Sequence, residues 1–250
     1  MKGWAGQVSA AETSRGGSRA DRAYDLFRRE IVACRLAPGA RLTEPDLAAR
    51  YDVGKASLRV ALQRLSQEGF VTSIPRQGYR VVPVTLRDVD EVFALRLELE
   101  PLAARLAAGR VDRARLEALE RACRDRSAAT IPEQIDDFLE ANRAFHMAIA
   151  EAGGNRRLCR MLSELLDEMS RLVALGFGAE NERPNIERDH VQLIDHLDAG
   201  EAEAAAEVAR RHVETFRAMT LDKVMTALNA TAADMPLPRV GPAGRSTQDP

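Results

Sequence analysis

The 250-residue sequence is poor in aromatic side chains and has no long apolar run. Aromatic residues make up 4% of the chain and hydrophobic residues of all kinds 45%, so a core must be built mainly from aliphatic side chains. No apolar stretch approaches the roughly 20 residues that span a bilayer, and the first residues lack the apolar core of a signal peptide. We therefore expect a cytoplasmic protein with no membrane partner.

Cysteine is also scarce. Cys34, Cys123 and Cys159 are odd in number, widely spaced and outside any CxxC pair. This argues against a disulfide framework and fits a reducing compartment. We expect each of them to be a small apolar side chain in or near the core.

Net charge is small, at −2, but the two parts of the chain differ in sign. Residues 1–86 contain 14 Lys and Arg against 8 Asp and Glu, a balance of +6. Residues 87–250 contain 22 Lys and Arg against 30 Asp and Glu, a balance of −8. This asymmetry indicates a nucleic-acid-binding part joined to a module of a different kind.

Two short helices with a tight turn between them are predicted within residues 42–82. Thr43, three residues before Asp46, is placed to cap the first helix, and the turn at 52–54 interrupts the pattern. The second helix has apolar residues at i, i+3, i+4 and i+7 and is ended by Gly69. Those apolar residues are Leu58, Ala61, Leu62 and Leu65. The arrangement predicts a helix-turn-helix.

After Gly69 the apolar period changes from 3.6 to about 2, which predicts two strands, 70–74 and 78–82, around a turn at Pro75. The motif is thus a winged helix-turn-helix. The solvent side of the second helix and the wing tip carry side chains that can bind phosphate and read base edges. These are Lys55, Ser57, Arg59, Gln63, Arg64, Arg76 and Gln77. The alternative is a buried helical hairpin whose charges are merely solvated.

Residues 47–79 also carry a recognisable pattern: Leu47-Ala48, Val53-Gly54-Lys55-Ala56-Ser57-Leu58-Arg59-Val60-Ala61-Leu62, Leu65, Glu68-Gly69-Phe70-Val71 and Arg76-Gln77-Gly78-Tyr79. This pattern resembles the DNA-binding domain of the GntR family of bacterial transcription regulators. The resemblance implies that the DNA-contacting positions are Lys55, Ser57, Arg59, Gln77 and Gly78. The chain departs from the family pattern at Pro45, Gly54, Ala56 and Val60, and the missing hydroxyls at 54 and 56 would remove two phosphate contacts.

From about residue 86 to 228 the sequence is helical. Short interruptions predict six helices, over about 87–108, 113–129, 132–152, 155–177, 184–199 and 201–228. Short loops between long helices predict an antiparallel bundle. A further helix, capped by Asp21 and running to about Cys34, precedes the helix-turn-helix.

The predicted fold class is therefore mainly α: an N-terminal winged helix-turn-helix of three helices and a small β wing, followed by an all-α antiparallel helical bundle. The expected boundaries are a disordered N-terminus over 1–19, the DNA-binding domain over 20–84, the ligand-binding bundle over 85–228 and a disordered tail over 229–250.

All four histidines lie in the bundle. Asn142 and His146 are four apart on one helix and share a face. His190 and His212 lie ten residues before and twelve residues after the glycine of the intervening turn, so antiparallel helices would bring them level. His196 should face elsewhere. Three neutral imidazoles and an oxygen donor suit a divalent transition metal such as Zn²⁺, Ni²⁺ or Mn²⁺. The alternative is that the histidines are satisfied side chains of the bundle.

These histidines belong to a second recognisable pattern: Asn142-Arg143-Ala144-Phe145-His146, Ala152-Gly153-Gly154-Asn155, Arg188-Asp189-His190-Val191 and Arg211-His212. The pattern resembles FCD, the ligand-binding bundle of one large GntR subgroup. The resemblance implies that the metal ligands are Asn142, His146, His190 and His212. Asn142 stands where the family more often has Asp, so a bound metal would keep one more positive charge and depend more on an anionic ligand.

Arg96 and Glu100 are four residues apart on the first bundle helix, with Leu95, Leu99 and Leu102 on what we expect to be its apolar side. Spacing alone predicts a surface ion pair worth a few tenths of a kcal/mol. The family resemblance implies instead that Arg96 turns inward and binds the carboxylate of an effector. The sequence does not decide between the two.

The predicted function is a ligand-responsive repressor of a catabolic or transport operon. It would bind a palindromic double-stranded DNA operator as a homodimer and be released by a small organic acid bound at the metal. One alternative is a metal-sensing or architectural DNA binder with no organic effector, and a less favoured one is a metal-dependent hydrolase. The sequence has no HExxH motif, nucleophile elbow or phosphate loop, so we expect no catalytic residues and no enzyme.

Overall fold

The structure is a computed structural model that describes residues 18–180 and 187–233. The described residues divide into two compact units, 18–31 with 35–83, and 32–34 with 84–180 and 187–233. The disorder predicted for 1–19 and 229–250 lies mostly outside the described residues. It is wrong where the chain is described, because the helices Arg19–Val32 and Ala202–Ala233 include residues 19 and 229–233. None of the three cysteines, all of which lie in the described ranges, forms a disulfide, and Cys123 is buried while Cys34 and Cys159 are half-buried.

The first unit begins with α1, Arg19–Val32. Its N-terminus is held by Ser18, whose hydroxyl accepts from the backbone N–H of Asp21 at 3.1 Å while the Asp21 carboxylate accepts from the backbone N–H of Ser18 at 3.0 Å. The predicted cap at Asp21 is therefore wrong, because Asp21 is the acidic partner of a capping box that starts three residues earlier. Tyr24 and Phe27 are buried on the inner face of this helix.

The helix-turn-helix follows as α2, Glu44–Tyr51, and α3, Lys55–Gln67. Thr43 caps α2 as predicted, its hydroxyl accepting from the N–H of Asp46 at 3.3 Å. Asp52 ends α2 with a left-handed φ of 50°, and Gly69 ends α3 with a φ of 79°. The predicted inner face of α3 is fully buried at Leu58, Ala61, Leu62 and Leu65.

The wing is a three-stranded antiparallel sheet in the order β1-β3-β2, with β1 at Arg41–Leu42, β2 at Val71–Ile74 and β3 at Gly78–Val81. The two-residue β1 was not predicted, because it is too short to show a period. Its pairing with β3 depends on Gly78, which has a φ of 95° and comes so close to β1 that an added Cβ would lie 2.4 Å from the carbonyl oxygen of Leu42.

The second unit consists of helices, as predicted. They are α4 Leu86–Ala107, α5 Arg113–Arg124, α6 Ile131–Ala152, α7 Arg156–Glu180, α8 Glu187–Asp198 and α9 Ala202–Ala233. Capping boxes at Thr85 and Thr130 start α4 and α6. Helix α5 ends five residues earlier than predicted, because the Asp125 side chain accepts from the N–H of Ser127 at 2.9 Å and forms a turn in place of a further helical turn. The predicted fold class is confirmed.

Helices α4 and α9 run antiparallel, tied by ion pairs between Asp90 and Arg217 at 2.6 Å and between Arg105 and Glu203 at 3.0 Å. The bundle core has two main apolar clusters. One surrounds Phe93, Phe138, Leu166, Val173 and Phe216, and the other surrounds Leu116, Phe145, Ile149, Leu193 and Leu197. Among the described helices, none combines the length and hydropathy needed to cross a membrane.

Candidate functional site

Three histidines meet inside the bundle. His146 on α6, His190 on α8 and His212 on α9 are all buried, and one ring nitrogen from each lies within 4.8 Å of the others. The antiparallel turn between α8 and α9 brings His190 and His212 level, with their ring centroids 4.9 Å apart. His196 lies outside this histidine cluster, half-exposed, with its Nδ1 2.5 Å from a carboxylate oxygen of Glu201.

Aromatic rings hold two of the imidazoles in place. His190 stacks on Phe145 with centroids 4.1 Å apart, and His212 lies parallel to Phe216 at 6.3 Å. Phe145 and Phe216 belong to the two different apolar clusters of the bundle. The histidine cluster therefore lies where the two apolar clusters meet, surrounded by side chains that exclude water.

Glu100 links this cluster to Arg96. Its Oε2 accepts from Nδ1 of His146 at 3.0 Å, and its Oε1 accepts from Nε of Arg96 at 2.5 Å. Burial favours the neutral acid, but the charge of Arg96 and the His146 imidazole outweigh it and hold the pKa of Glu100 well below its usual range. With Nδ1 of His146 bound to this carboxylate, its Nε2 is left to act as a ligand.

Of the two alternatives left open for this pair, the surface ion pair is wrong, because Arg96 is 0% and Glu100 5% exposed. The apolar side proposed for α4 is also wrong, since Leu95 and Leu102 are exposed. The buried face carries Phe93, Arg96, Glu100, Ala103 and Ala107, spaced by three or four residues. That spacing was the signal in the sequence that would have placed Glu100 inside.

Burial favours the neutral form of the other two imidazoles. Burial, together with the neighbouring histidines, lowers the pKa of His190 well below its ordinary value and also lowers the pKa of His212. Nδ1 of His212 lies 3.7 Å from Oδ2 of Asp189, a separation longer than a direct hydrogen bond. A neutral imidazole keeps a lone pair and can bind a metal ion.

The residues present fit a divalent transition metal. Among the described residues, no hydrogen-bond partner is found for Nε2 of His146, either ring nitrogen of His190 and His212, or either amide atom of the fully buried Asn142. Two nitrogens that share a tetrahedral zinc ion at about 2.0–2.1 Å lie about 3.3–3.4 Å apart. The three imidazoles, whose ring nitrogens lie within 4.8 Å of one another, would therefore need to approach by up to about 1.5 Å. Asn142 lies one turn before His146 on α6 and offers an amide oxygen.

Arg96 has spare hydrogen-bonding capacity. Its guanidinium carbon lies 5.0 Å from the ring centroid of Phe93 and 6.0 Å from that of Phe216. No described residue accepts a hydrogen bond from its two terminal nitrogens, although both are buried. A buried guanidinium with two unused donors is suited to a bidentate carboxylate.

The predicted DNA-reading side chains lie on α3 and the wing of the first unit. Lys55 and Arg59 are exposed near the start of α3, Ser57 is partly exposed, and Nε of Arg59 donates to Glu44 at 2.8 Å. Arg76 and Gln77 are exposed at the wing tip next to Gly78, and the carbonyl of Gln77 accepts from Nε of Arg41 at 3.1 Å. This hydrogen bond fixes the tip to β1.

Arg64 has a different environment from the other predicted contacts. Its guanidinium carbon lies 3.6 Å from the ring centroid of Tyr24, and its Nε donates to Glu68 at 3.3 Å. The Tyr24 hydroxyl donates to the same carboxylate at 2.5 Å. Arg64 thus helps to join α1 to α3.

Comparison with known proteins agrees with both resemblances. Residues 19–81 match the family described as bacterial regulatory proteins, gntR family, and residues 91–215 match the FCD domain. The chain belongs to the GntR family. It is therefore a DNA-binding transcription regulator with an FCD domain and not an enzyme.

Relatives of this GntR regulator are described as HTH-type transcriptional regulators or repressors. BphR of Paraburkholderia xenovorans, an HTH-type transcriptional regulator, is 32% identical over 204 residues, covering 77% of this chain and 81% of the relative. The HTH-type transcriptional repressor RspR of Escherichia coli is 24% identical over 191 residues, covering 76% and 84%. The solved structure of E. coli McbR/YncC has a TM-score of 0.71 at 24% identity over 83% of this chain and 99% of that chain, which supports the fold alone.

Proposed function

We propose that this GntR regulator is a homodimeric repressor of a catabolic or transport operon and that a small organic acid, bound beside a divalent metal in the bundle, releases it from DNA. The main support for this proposal is the buried series of hydrogen bonds from Arg96 to Glu100 and from His146 to Glu100. It connects a guanidinium with two unused donors to a histidine of the candidate metal centre. Both are groups that a carboxylate ligand would use.

The ligands proposed for the metal are Asn142, His146, His190 and His212. A bound Zn²⁺, Ni²⁺ or Mn²⁺ would supply positive charge and a coordination position open to a carboxylate oxygen. All four protein ligands are neutral, and the charge of Glu100 is already balanced by Arg96. The dication would therefore lack an anionic ligand from the protein, and an organic acid would meet that need.

The space beside these groups is small. A cavity of about 10 Å³, room for roughly one water molecule, is lined by Glu100, Ala103, Ala104, His146, Ile149, Leu162, Leu193 and Ala209. An organic acid would have to displace some of these side chains, so its binding would favour a different packing of the bundle. Differential affinity for two packings is what a ligand needs in order to change DNA binding.

DNA would be bound by Lys55, Ser57 and Arg59 at the start of α3 and by the wing tip. Two copies of this unit in a dimer would read a palindrome with half-sites about one helical turn apart or closer. The description of the relative RspR as a repressor supports repression. A regulator of a bacterial operon acts in the cytoplasm.

The test is a thermal-shift screen of metal-loaded protein against small mono- and dicarboxylic acids. A binding acid should raise the melting temperature by mass action, and the rise should be lost in His190→Ala. The matched control is His196→Ala, which removes a histidine that lies outside the cluster. The acid found should then dissociate the protein from a DNA duplex selected by the protein from random sequence, as followed by fluorescence anisotropy.

A second candidate is a regulator for which the metal itself is the signal, and the small size of the cavity favours it. In that case no acid would shift the melting temperature, whereas metal alone would shift it and change DNA affinity. Absence of any metal effect, with His146→Ala behaving as wild type, would leave the histidine cluster with a structural role only.

A further inference from the structure

Val60 is an unusual residue on the surface of the DNA-binding unit. Its side chain is 54% exposed, and within residues 18–83, all of which are described, no other large apolar side chain is exposed. The other exposed residues of α3 are polar or small: Lys55, Ala56, Arg59, Gln63, Arg64 and Gln67. At a solvent-exposed helix position a β-branched residue adds no stability, because it is a weaker helix former than Lys, Gln or Glu.

The helix geometry places Val60 opposite the core. At 100° per residue, Val60 points about 150° away from the mean direction of the buried Leu58, Ala61, Leu62 and Leu65. Ala56, Gln63 and Gln67 fall on the same outward stripe, which we call the α3 stripe. When α3 lies in a DNA groove with its inner face packed on the core, the α3 stripe points into the groove.

The arginines that flank the α3 stripe are held by neighbouring groups. Arg59, on one side, donates to Glu44 of α2. Arg64, on the other, lies over the ring of Tyr24 in α1. The centre of the outward face is therefore left to a methyl group, an isopropyl group and two amides, and not to a cation.

The major groove offers one apolar feature on its base edges, the 5-methyl group of thymine. We propose that Val60 is a specificity-determining residue whose isopropyl group packs against the 5-methyl group of a thymine in each half-site. Ala56 lies one turn earlier and leaves room for the close approach that this contact needs. Gln63 lies one turn later, where its amide can form hydrogen bonds with the major-groove edge of an adenine. The α3 stripe would thus select A·T pairs.

The inference rests on DNA reading by α3. The test distinguishes failure of the Val60–thymine contact from failure of DNA reading by α3 as a whole. The full chain first selects duplexes from a random-sequence pool, and the enriched duplex becomes the probe. Each thymine of the probe is then replaced in turn by deoxyuridine, which removes only the 5-methyl group. Dissociation constants are measured by fluorescence anisotropy at one fixed salt concentration, for wild type and for Val60→Ala.

We expect one thymine per half-site whose replacement weakens wild-type binding roughly three- to fivefold, the value of burying about one methyl group. Val60→Ala should bind the thymine and deoxyuridine probes equally. Truncating the valine and removing the 5-methyl group of thymine each abolish the same contact, so the second change should have no further effect. The matched control is Val191→Ala, which truncates an exposed valine of α8 and should keep the full methyl dependence. Unchanged thermal melting would show that Val60→Ala folds normally.

Two results would overturn the proposal. If an enriched duplex shows no methyl-sensitive thymine, or shows the same sensitivity with Val60→Ala, then Val60 does not read thymine, while sequence-specific DNA binding stands. If no duplex is enriched at all, DNA reading by α3 fails together with this inference.

Discussion

Nδ1 of His146 lies 3.0 Å from Oε2 of Glu100, in a pair that is almost completely excluded from solvent. The two residues come from different helices, α6 and α4, and the contact decides which nitrogen of His146 remains for another partner. A carboxylate behind a histidine also fixes the orientation of its ring. Glu100 is therefore a positioning residue for the candidate metal centre, and several predictions depend on it or its neighbours.

Glu100→Gln should weaken metal binding. The amide removes the charge that orients and polarises His146, and loss of such a partner typically costs 10- to 100-fold in metal affinity. Isothermal titration of the metal-free protein with Zn²⁺ measures the change. The control is Glu98→Gln, an exposed glutamate on the same helix, and equal affinities for the two variants would contradict the role given to Glu100.

Asn142→Asp should strengthen metal binding. A carboxylate is a better donor than an amide oxygen and adds a negative charge to a set of neutral ligands. The same substitution should reduce the extra stabilisation that an organic acid gives the metal-loaded protein, since the metal would then need an outside anion less. Titration of both variants with metal, followed by acid, tests this, and weaker metal binding in Asn142→Asp would count against Asn142 as a ligand.

Arg96→Lys should lose most of the thermal shift caused by an acid while still binding metal. Lysine keeps the charge but not the two parallel donors, and a hydrogen bond to a charged group is worth about 1.5–3 kcal/mol. The affinity for the acid should therefore fall by roughly 10- to 100-fold. Arg105→Lys is the control, because Arg105 lies on the same helix but pairs with Glu203 at the surface. An unchanged acid response in Arg96→Lys would remove Arg96 from the effector site.

Gly78→Ala should destabilise the wing and weaken DNA binding. The added methyl group would lie 2.4 Å from the Leu42 carbonyl oxygen, so β1 would have to move away from β3. Gly39→Ala is the matched control, because Gly39 has a similar φ of 78° but nothing within 4 Å of the added Cβ. Both variants carry the strain of a left-handed alanine, about 1–2 kcal/mol. Urea denaturation should show a larger loss for Gly78→Ala, and equal losses would show that the close contact is unimportant.

Gly176→Ala and Gly178→Ala should have opposite effects on stability. In Gly176→Ala the new Cβ would lie 2.8 Å from Cβ of Lys223 and 3.1 Å from the backbone nitrogen of Val224, so α7 and α9 would be forced apart at a cost of about 1–3 kcal/mol. Gly178 has nothing within 4 Å, and alanine there should stabilise the helix by up to about 1 kcal/mol. Thermal melting of both variants measures the difference. A stabilised Gly176→Ala would mean that α7 and α9 separate without cost.

Some parts of the fold were predicted well because their causes are local. The cap at Thr43, the break at Asp52 and the end of α3 at Gly69 depend on residues within about four positions of one another. The wing strands were found from their period, whereas β1, with two residues, had none. The cap of α1 was misplaced because Ser18 and Asp21 both suit that position, and only the backbone geometry distinguishes them.

The sequence by itself determined the order of the helices, the inner face of α3 and the level at which His190 and His212 meet, since periodicity and a short turn fix all three. Only the tertiary structure decided that Glu100 bonds to His146 and that Arg64 lies over Tyr24. These contacts join residues on different helices, and they depend on how each helix is rotated about its axis when the side chains pack. That rotation is a property of the whole core and is not encoded within any one helix.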